Sequence, residues 1–326
     1  MARIRQDKIA GMEVFILEGE GRMAATVAPG FGAVCSSLRF LREGEALELF
    51  HEANDLSGRR MGGRNPVLFP AVGRLFLDGE LGRYRHRGKA YSMDIHGFAK
   101  DLPWRVVSAQ VDRSRPRLIC ELDSSAETRA AYPYDFLLRV THIVEPSALR
   151  LEAEIENRSP EPMPFSFGWH PYFRAPICPD RSSRGQCVIR IPGDCFWEMS
   201  EGAPTGRLLP LPQALDFRTG VSLPQEHLEW VVANLDGPGA GQTLRAELID
   251  RGSGVSVAVG FDAAQLETVT VYSPAGAPYA CVEPRTGIPM ALSDDTLAPR
   301  TGQILAPAGQ TGSRMRIPVV ISAETL

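Results

Sequence analysis

Apolar and polar residues alternate along much of this chain, most strictly between positions 149 and 156. Apolar residues occupy every odd position there, and charged residues occupy every even one. Because successive side chains of a strand point to opposite faces, this pattern predicts a strand with one buried and one solvated face. A looser alternating run, 136–145, precedes it, and Pro146 and Ser147 between them are typical turn residues. We therefore predict a β-hairpin over 136–157.

Shorter alternating runs recur at 13–18, 23–29, 104–111, 117–123, 186–191, 244–250, 254–261, 267–273 and 315–321. Between them lie turns rich in glycine and proline, of which the chain has 31 and 26. No long stretch has the 3.6-residue period of an amphipathic helix, which a doubly wound α/β fold would need between its strands. The predicted fold class is all-β, with a single domain over residues 1–326. We expect one large antiparallel β-sandwich whose long loops carry the functional site.

Charge and hydropathy exclude several classes of partner. The formal net charge is -4 and the isoelectric point about 5.9, so no overall positive field attracts nucleic acid or an anionic membrane surface. No apolar run reaches the roughly 18 residues that a membrane-spanning helix needs. Residues 1–8 have no apolar region behind their charges, so we expect no secretory signal and a cytoplasmic location.

The six cysteines fit a reducing compartment. Three of them, Cys178, Cys187 and Cys195, lie near His170 in sequence, which suggests a zinc site of three thiolates and one imidazole. Structural zinc sites usually show short CxxC spacing, and this chain has none. We therefore expect free thiols and no structural metal.

Motifs of several common enzyme classes are missing. The chain has no GxSxG elbow, no Walker lysine after a glycine loop and no HExxH. The glycine-rich segment 237–241 follows no βαβ pattern, so a surface loop is expected rather than a phosphate cradle. Arg59, Arg60 and Arg64 form a basic cluster, which is either solvated surface or a contact for substrate hydroxyls or a phosphate.

Three segments have a composition that simple scaffolding does not explain. They are 94–99 around His96, 167–173 around His170, and 280–287 around Glu283. Each places a candidate proton-transfer residue among aromatic, glycine or proline residues at a predicted strand end. Taken singly, each residue has a structural interpretation, as a hydrogen-bonded histidine or an exposed carboxylate. Together, two imidazoles and a carboxylate can move protons in both directions near neutral pH.

These segments resemble the signature blocks of the aldose 1-epimerase (galactose mutarotase-like) family. A fourth block, 63–75, supports the resemblance, and the residues between it and His96 resemble the bacterial LacX-like branch in particular. The four blocks stand in family order from about residue 64 to residue 292. Each motif alone is moderately specific, whereas four in order are strong evidence.

The resemblance implies a β-supersandwich and a role for each matched residue. Glu283 matches the general base that takes the proton of the C1 hydroxyl, and His170 matches the general acid that protonates the ring oxygen. His96 matches the second histidine, which holds or polarises the substrate. Arg74 matches the sugar-contacting arginine, and Asn65, in the fourth block, is a further expected substrate contact.

One position departs from the family pattern. Many members carry a sugar-binding aspartate near the segment that includes Glu229 here, so Glu229 is expected to replace it with a carboxylate one methylene further out. The resemblance implies a small-molecule sugar as the partner and no metal or nucleotide cofactor. In the starting state Glu283 must be ionised and His170 protonated.

Two alternatives remain open. A hexose-6-phosphate 1-epimerase would need arginines aimed at the phosphate, which the cluster of Arg59, Arg60 and Arg64 could supply. A non-catalytic carbohydrate-binding or sensing protein would need none of the proton-transfer residues. A glycosidase needs two carboxylates that flank the bond, and we can nominate only one. The sequence fixes neither the preferred aldose nor whether the protein is a monomer or a homodimer.

Overall fold

The computed structural model describes residues 1–56, 62–235, 243–292 and 302–326. Two of the features considered above, the pair Arg59 and Arg60 and the glycine-rich segment 237–241, lie outside the described residues. None of the helices within the described ranges is long and apolar enough to cross a membrane.

The first half of the chain forms β1 (Arg3–Ile9), β2 (Met12–Glu18), β3 (Met23–Ala28), β4 (Val34–Arg42), β5 (Glu45–Glu48), β6 (Val67–Leu68), β7 (Phe76–Leu77), β8 (Glu80–Leu81), β9 (Arg83–His86), β10 (Lys89–Ser92), β11 (Arg105–Asp112), β12 (Arg115–Asp123), the helix α1 (Ala126–Ala131), β13 (Phe136–Glu145) and β14 (Ala148–Asn157). The second half forms β15 (Met163–Phe165), β16 (Gly168–Trp169), β17 (Tyr172–Arg174), β18 (Cys187–Arg190), β19 (Gly193–Ser200), β20 (Ala203–Pro210), β21 (Val221–Ser222), β22 (Leu228–Leu235), β23 (Thr243–Asp250), β24 (Val255–Asp262), β25 (Thr268–Ser273), β26 (Tyr279–Arg285), β27 (Gln303–Leu305) and β28 (Arg314–Thr325). Two single-turn 3₁₀ helices, Arg184–Gln186 and Gln213–Leu215, complete the described elements.

Three antiparallel sheets dominate the structure. The first has the order β1-β2-β3-β4-β5, and the second has the order β11-β12-β13-β14-β28-β24-β23-β18-β21. The third has the order β20-β19-β22-β25-β26-β16-β6, with β17 also paired to β26. The second sheet contacts the first through β12, β13 and β14, and contacts the third through β23 and β24. The prediction of an all-β fold made of packed antiparallel sheets is confirmed.

The predicted hairpin over 136–157 is present as β13 and β14, which pair from Phe136 opposite Asn157 to Glu145 opposite Ala148. The odd-numbered apolar side chains of 149–155 are all fully buried, whereas the even-numbered charged ones remain partly exposed. The apolar face joins one large core to which all three sheets contribute. Alternation in sequence therefore determined which face of this strand the core covers.

Candidate active site

The three adjacent strands β22, β25 and β26 place one row of side chains along a common face. Their register sets Glu229 opposite Tyr272 and Thr270 opposite Glu283. Because side chains alternate between the faces of a sheet, these four side chains point to the same side as Val231. All five line one cavity.

His170 lies on the other side of β26 from β25. It falls between β16 and β17, which both pair with β26, so that Gly168 is opposite Arg285 and Tyr172 opposite Cys281. The imidazole is buried and stacks on the ring of Tyr172, with centroids 4.4 Å apart and planes 4° from parallel. Its Nδ1 lies 3.4 Å from Oε1 of Glu283. These two predicted residues therefore meet.

His96 joins them from a loop. Its ring centroid is 5.2 Å from that of His170, edge to face. The His96 backbone N–H donates to the Gly73 carbonyl, and the Gly73 N–H donates to His96 Nδ1, both at 3.0 Å. Since a backbone N–H can only donate, Nδ1 must be unprotonated, and Nε2 carries the proton of the neutral ring. The ring can therefore donate one hydrogen bond from Nε2.

The loop that carries His96 is held by a glycine without room for a side chain. Gly97 has φ +73°, and a Cβ there would lie 2.2 Å from the Phe69 carbonyl oxygen. We predict that Gly97→Ala lowers the free energy of unfolding by about 3 kcal/mol or more in urea denaturation. The control is Gly88→Ala, because Gly88 has φ +74° but open space around it, so only the backbone cost of about 1 kcal/mol applies. Equal losses in the two variants would contradict the prediction.

The cavity encloses about 740 Å³ of empty space, part of which is open solvent at its mouth. Its lining combines the candidate acid–base residues with an apolar wall and a few polar side chains: Gly73, Arg74, Ile95, His96, His170, Tyr172, Met199, Gly202, Glu229, Val231, Thr270, Tyr272, Glu283, Arg285 and Pro289. Five of the six residues predicted from sequence are in this set. A pocket lined mostly by apolar groups with a few convergent polar ones is typical of a small-molecule site.

Arg74 and Glu229 lie nearer the mouth. Arg74 is exposed, and its guanidinium lies against the tip of the β19–β20 hairpin, where a Cβ on Gly202 would come within 3.0 Å of Arg74 Nη1. The Glu229 side chain is 48% exposed, and its Oε2 lies 3.3 Å from Nε2 of His227. Both side chains can reach a molecule in the cavity.

Asn65 is the exception among the predicted residues. It is 1% exposed and is not part of the cavity lining. Its backbone bridges to Cys35, and neither atom of its side-chain amide has a hydrogen-bond partner within the described ranges. Its contact with substrate stays a prediction. Arg64, the described member of the basic cluster, lies over the ring of Phe31 at 5.2 Å and does not line the cavity either.

Burial dominates the electrostatics of Glu283. Its side chain is fully buried, and burial is the main cause that raises the pKa of the carboxyl to about 7, with a smaller upward contribution from the Glu229 carboxylate. The Arg285 guanidinium acts in the opposite direction, because its Nη2 donates to Glu283 Oε2 and favours the ionised form. Oε1, by contrast, has no hydrogen-bond partner in the described part of the chain. Glu283 therefore changes charge near neutral pH and has one oxygen without a hydrogen-bond partner among the described residues.

The pKa values of both histidines are shifted downwards, opposite to that of Glu283. Burial, and next the charge of Arg285, lower the pKa of His170 well below its usual value. Burial, followed by His170 and Arg285, does the same to the pKa of His96. A protonated His170 beside an ionised Glu283, which the expected mechanism requires, is thus opposed by burial. The Glu283 carboxylate 3.4 Å away is the group that favours that form.

Sequence reasoning missed two cavity residues next to Glu283. Arg285 follows Glu283 by two positions, so the period of a strand would have placed both on one face. Thr270 has no such signal, because the register between β25 and β26 cannot be read from the sequence. All six cysteines are free thiols, as expected, and the zinc cluster of Cys178, Cys187 and Cys195 with His170, which the sequence argued against, is not found among the described residues.

A different trio brings potential metal-ligating atoms together. His170, Cys281 and Glu283 each offer one ligand atom, and these atoms lie within 4.8 Å of one another. Imidazole, thiolate and carboxylate are all zinc ligands. However, Arg285 is bonded to one Glu283 oxygen, and a guanidinium this close opposes the binding of a cation. The chemistry best served by the arrangement is proton transfer.

Comparison with known proteins agrees with this geometry. The chain matches the family described as Aldose 1-epimerase over residues 13–317. It is similar to the structure of a galactose mutarotase-like protein from Clostridium acetobutylicum, with a TM-score of 0.84 and 20% identity over 100% of this chain and 99% of that one. It is also similar to the Slr1438 protein from Synechocystis sp. PCC 6803, with a TM-score of 0.76 and 24% identity over 98% of each chain.

A third similar structure has a more specific description. It is a galactose 1-epimerase from Lactobacillus acidophilus NCFM, with a TM-score of 0.70 and 16% identity over 100% of this chain and 99% of that one. Similarity at these levels of identity shows a shared fold. The predicted galactose mutarotase-like architecture is confirmed, whereas the expected closeness to the LacX-like branch stays a prediction.

Proposed function

We propose that this chain, which belongs to the aldose 1-epimerase family, interconverts the α and β anomers of a free aldohexose by acid–base catalysis. The observation that carries the proposal is the meeting of Glu283, His170 and His96 at one cavity. The three come from separate parts of the chain, and the facing atoms of the first two are 3.4 Å apart. Catalytic groups with strongly perturbed pKa values typically cluster in this way.

In the proposed mechanism, Glu283 takes the proton of the C1 hydroxyl through Oε1, the oxygen that Arg285 does not occupy. The C1–O1 bond becomes a carbonyl, the bond from C1 to the ring oxygen breaks, and the ring oxygen receives a proton from His170. His96, whose Nδ1 is occupied by the Gly73 N–H, donates from Nε2 to hold the sugar at this end. Rotation about C1–C2 exposes the other carbonyl face, and reclosure with the proton transfers reversed yields the other anomer.

The remaining cavity residues support a neutral sugar as the substrate. Arg285 is already paired with Glu283, and Arg74 is the other cationic side chain of the described lining. Glu229 adds a second carboxylate at the mouth, which would repel a phosphate. Arg64 lies over the ring of Phe31 and is not part of the described lining. Arg74 and Glu229 are proposed to bind ring hydroxyls of this sugar.

The chain is also proposed to form a single domain, because all three sheets contribute to one hydrophobic core.

Polarimetry tests the proposal. Freshly dissolved α-D-glucose and α-D-galactose are followed with and without protein, in parallel with glucose 6-phosphate. We expect acceleration above the spontaneous rate for the free sugars and a smaller effect on the phosphate. Acceleration of the phosphate alone would favour the hexose-6-phosphate 1-epimerase. No acceleration of any of the three, with sugar binding detected by calorimetry, would favour a non-catalytic binding protein.

A further inference from the structure

We propose that Thr270 binds the 2-hydroxyl of the sugar, so that the protein prefers aldoses with a 2-hydroxyl over their 2-deoxy analogues. The proposal rests on the proposed function and adds a specificity-determining residue to it. It also narrows the substrate class.

The Thr270 hydroxyl has no hydrogen-bond partner among the described residues, although a buried hydroxyl normally has one. The residue is 4% exposed and lines the cavity, yet its Oγ1 has no hydrogen bond to any described part of the chain. Thr268, on the same face of the same strand, is equally buried and donates to the Gly287 carbonyl at 3.0 Å. A buried hydroxyl left unsatisfied is unfavourable. A polar molecule in the cavity would supply the missing partner.

The sheet fixes Thr270 beside the candidate general base. It is the direct register partner of Glu283 across β25 and β26, and such pairs have Cβ atoms about 5 Å apart. Its neighbour on the far side, Val231 on β22, offers no hydrogen bond from its side chain. Thr270 is therefore the polar side chain next to Glu283 on this flank.

The two flanks of Glu283 differ in chemistry. β25, with Thr270, lies on one side of β26, whereas β16 and β17, with His170 between them, lie on the other. In a pyranose, C1 carries the anomeric hydroxyl and two ring neighbours, the ring oxygen and C2, which diverge from it. If the anomeric hydroxyl is on Glu283 and the ring oxygen faces His170, then C2 and its hydroxyl are directed to the Thr270 flank.

Two charged side chains lie near this flank, Arg285 and Glu229, and Nε of Arg285 has no hydrogen-bond partner in the described structure. Arg285 is committed to Glu283 through Nη2, and Glu229 lies one strand further away, opposite Tyr272. A hydroxyl can both donate and accept, so Thr270 suits a sugar hydroxyl of either hydrogen-bond role. The inferred contact is therefore a neutral hydrogen bond between two hydroxyl groups.

The test compares D-glucose with 2-deoxy-D-glucose, with each enzymatic rate corrected for the spontaneous mutarotation of that sugar. In wild type we expect kcat/KM to be roughly tenfold higher for glucose, the effect of one buried hydrogen bond. Thr270→Val, which keeps the shape and removes the hydroxyl, should lower kcat/KM for glucose and leave 2-deoxyglucose nearly unchanged, so that the ratio approaches one. Thr270→Ser, which keeps the hydroxyl, should keep most of the preference.

Three results would overturn the proposal. One is a ratio near one in wild type, a measurement that depends on no variant. Another is an unchanged ratio in Thr270→Val. The third is that the wild-type protein accelerates the mutarotation of neither sugar. That result would contradict the proposed function as well, whereas the first two results contradict only the role of Thr270. If Thr270→Val fails to fold, Thr270→Ala provides the same comparison.

Discussion

Replacing Glu283 by Gln is expected to lower kcat/KM for the mutarotation of α-D-glucose by about 10² to 10⁴-fold. Gln cannot accept the proton of the C1 hydroxyl, and positioned general bases typically contribute this much. The amide occupies nearly the same volume as the carboxyl, so the packing of β26 against its neighbours should persist. Polarimetric progress curves at several protein concentrations measure the loss.

The comparison for this variant is a substitution of the proposed general acid, His170. His170→Asn should cause a loss of similar size, because the mechanism needs an acid as much as a base. The double variant should be little worse than either single one, since residues that act as a unit are not additive. If Glu283→Gln kept more than about a tenth of the wild-type kcat/KM, Glu283 would not be the general base.

Replacing Arg285 by Met is expected to move the pH profile of kcat/KM upwards by roughly one to three pH units. Reaction requires Glu283 ionised and His170 protonated; since the pKa of Glu283 is about 7 and that of His170 is lower, the wild-type profile should be bell-shaped, with its upper limb near pH 7. Without the guanidinium, the pKa of Glu283 rises further, because burial is no longer opposed. The pKa of His170 also rises, because Arg285 lowers it. Both changes shift the profile in the same direction.

The expected signature is that both limbs of the profile, and the optimum between them, lie at higher pH in Arg285→Met than in wild type. Arg285→Lys keeps a positive charge but not the planar fork of donors, so its profile should lie between those of wild type and Arg285→Met. A uniform loss at all pH values would mean that Arg285 supports the site only by packing. An unchanged profile would mean that it does not act on Glu283.

Prediction from sequence succeeded where a single face of a strand is buried. The hairpin of β13 and β14 shows the simple alternation that one core-facing side produces. It failed for β22, where Val231, Val232 and Ala233 are buried in succession and the alternation disappears. It also failed for β4, because the buried Ser36 and Ser37 read as polar positions. The alternation of apolar and polar residues is lost where both faces of a strand are buried, and also where a buried residue carries a hydroxyl group.

The candidate site shows a second limit. His96, His170 and Glu283 were nominated individually for their unusual neighbours, but their convergence came from the family resemblance. The three residues converge because strands that are distant in sequence pair with one another. No local sequence pattern specifies the register that places Thr270 opposite Glu283. Nor could composition foresee that burial would bring the pKa of Glu283 to about 7.

Anomer exchange at equilibrium tests the central claim most directly. With equilibrated D-glucose, magnetisation-exchange NMR between the C1 protons of the α and β anomers measures interconversion without net reaction. Wild-type protein should produce exchange proportional to its concentration and well above the spontaneous rate, and Glu283→Gln should not. Equal exchange with wild type, with Glu283→Gln and without protein would contradict the account.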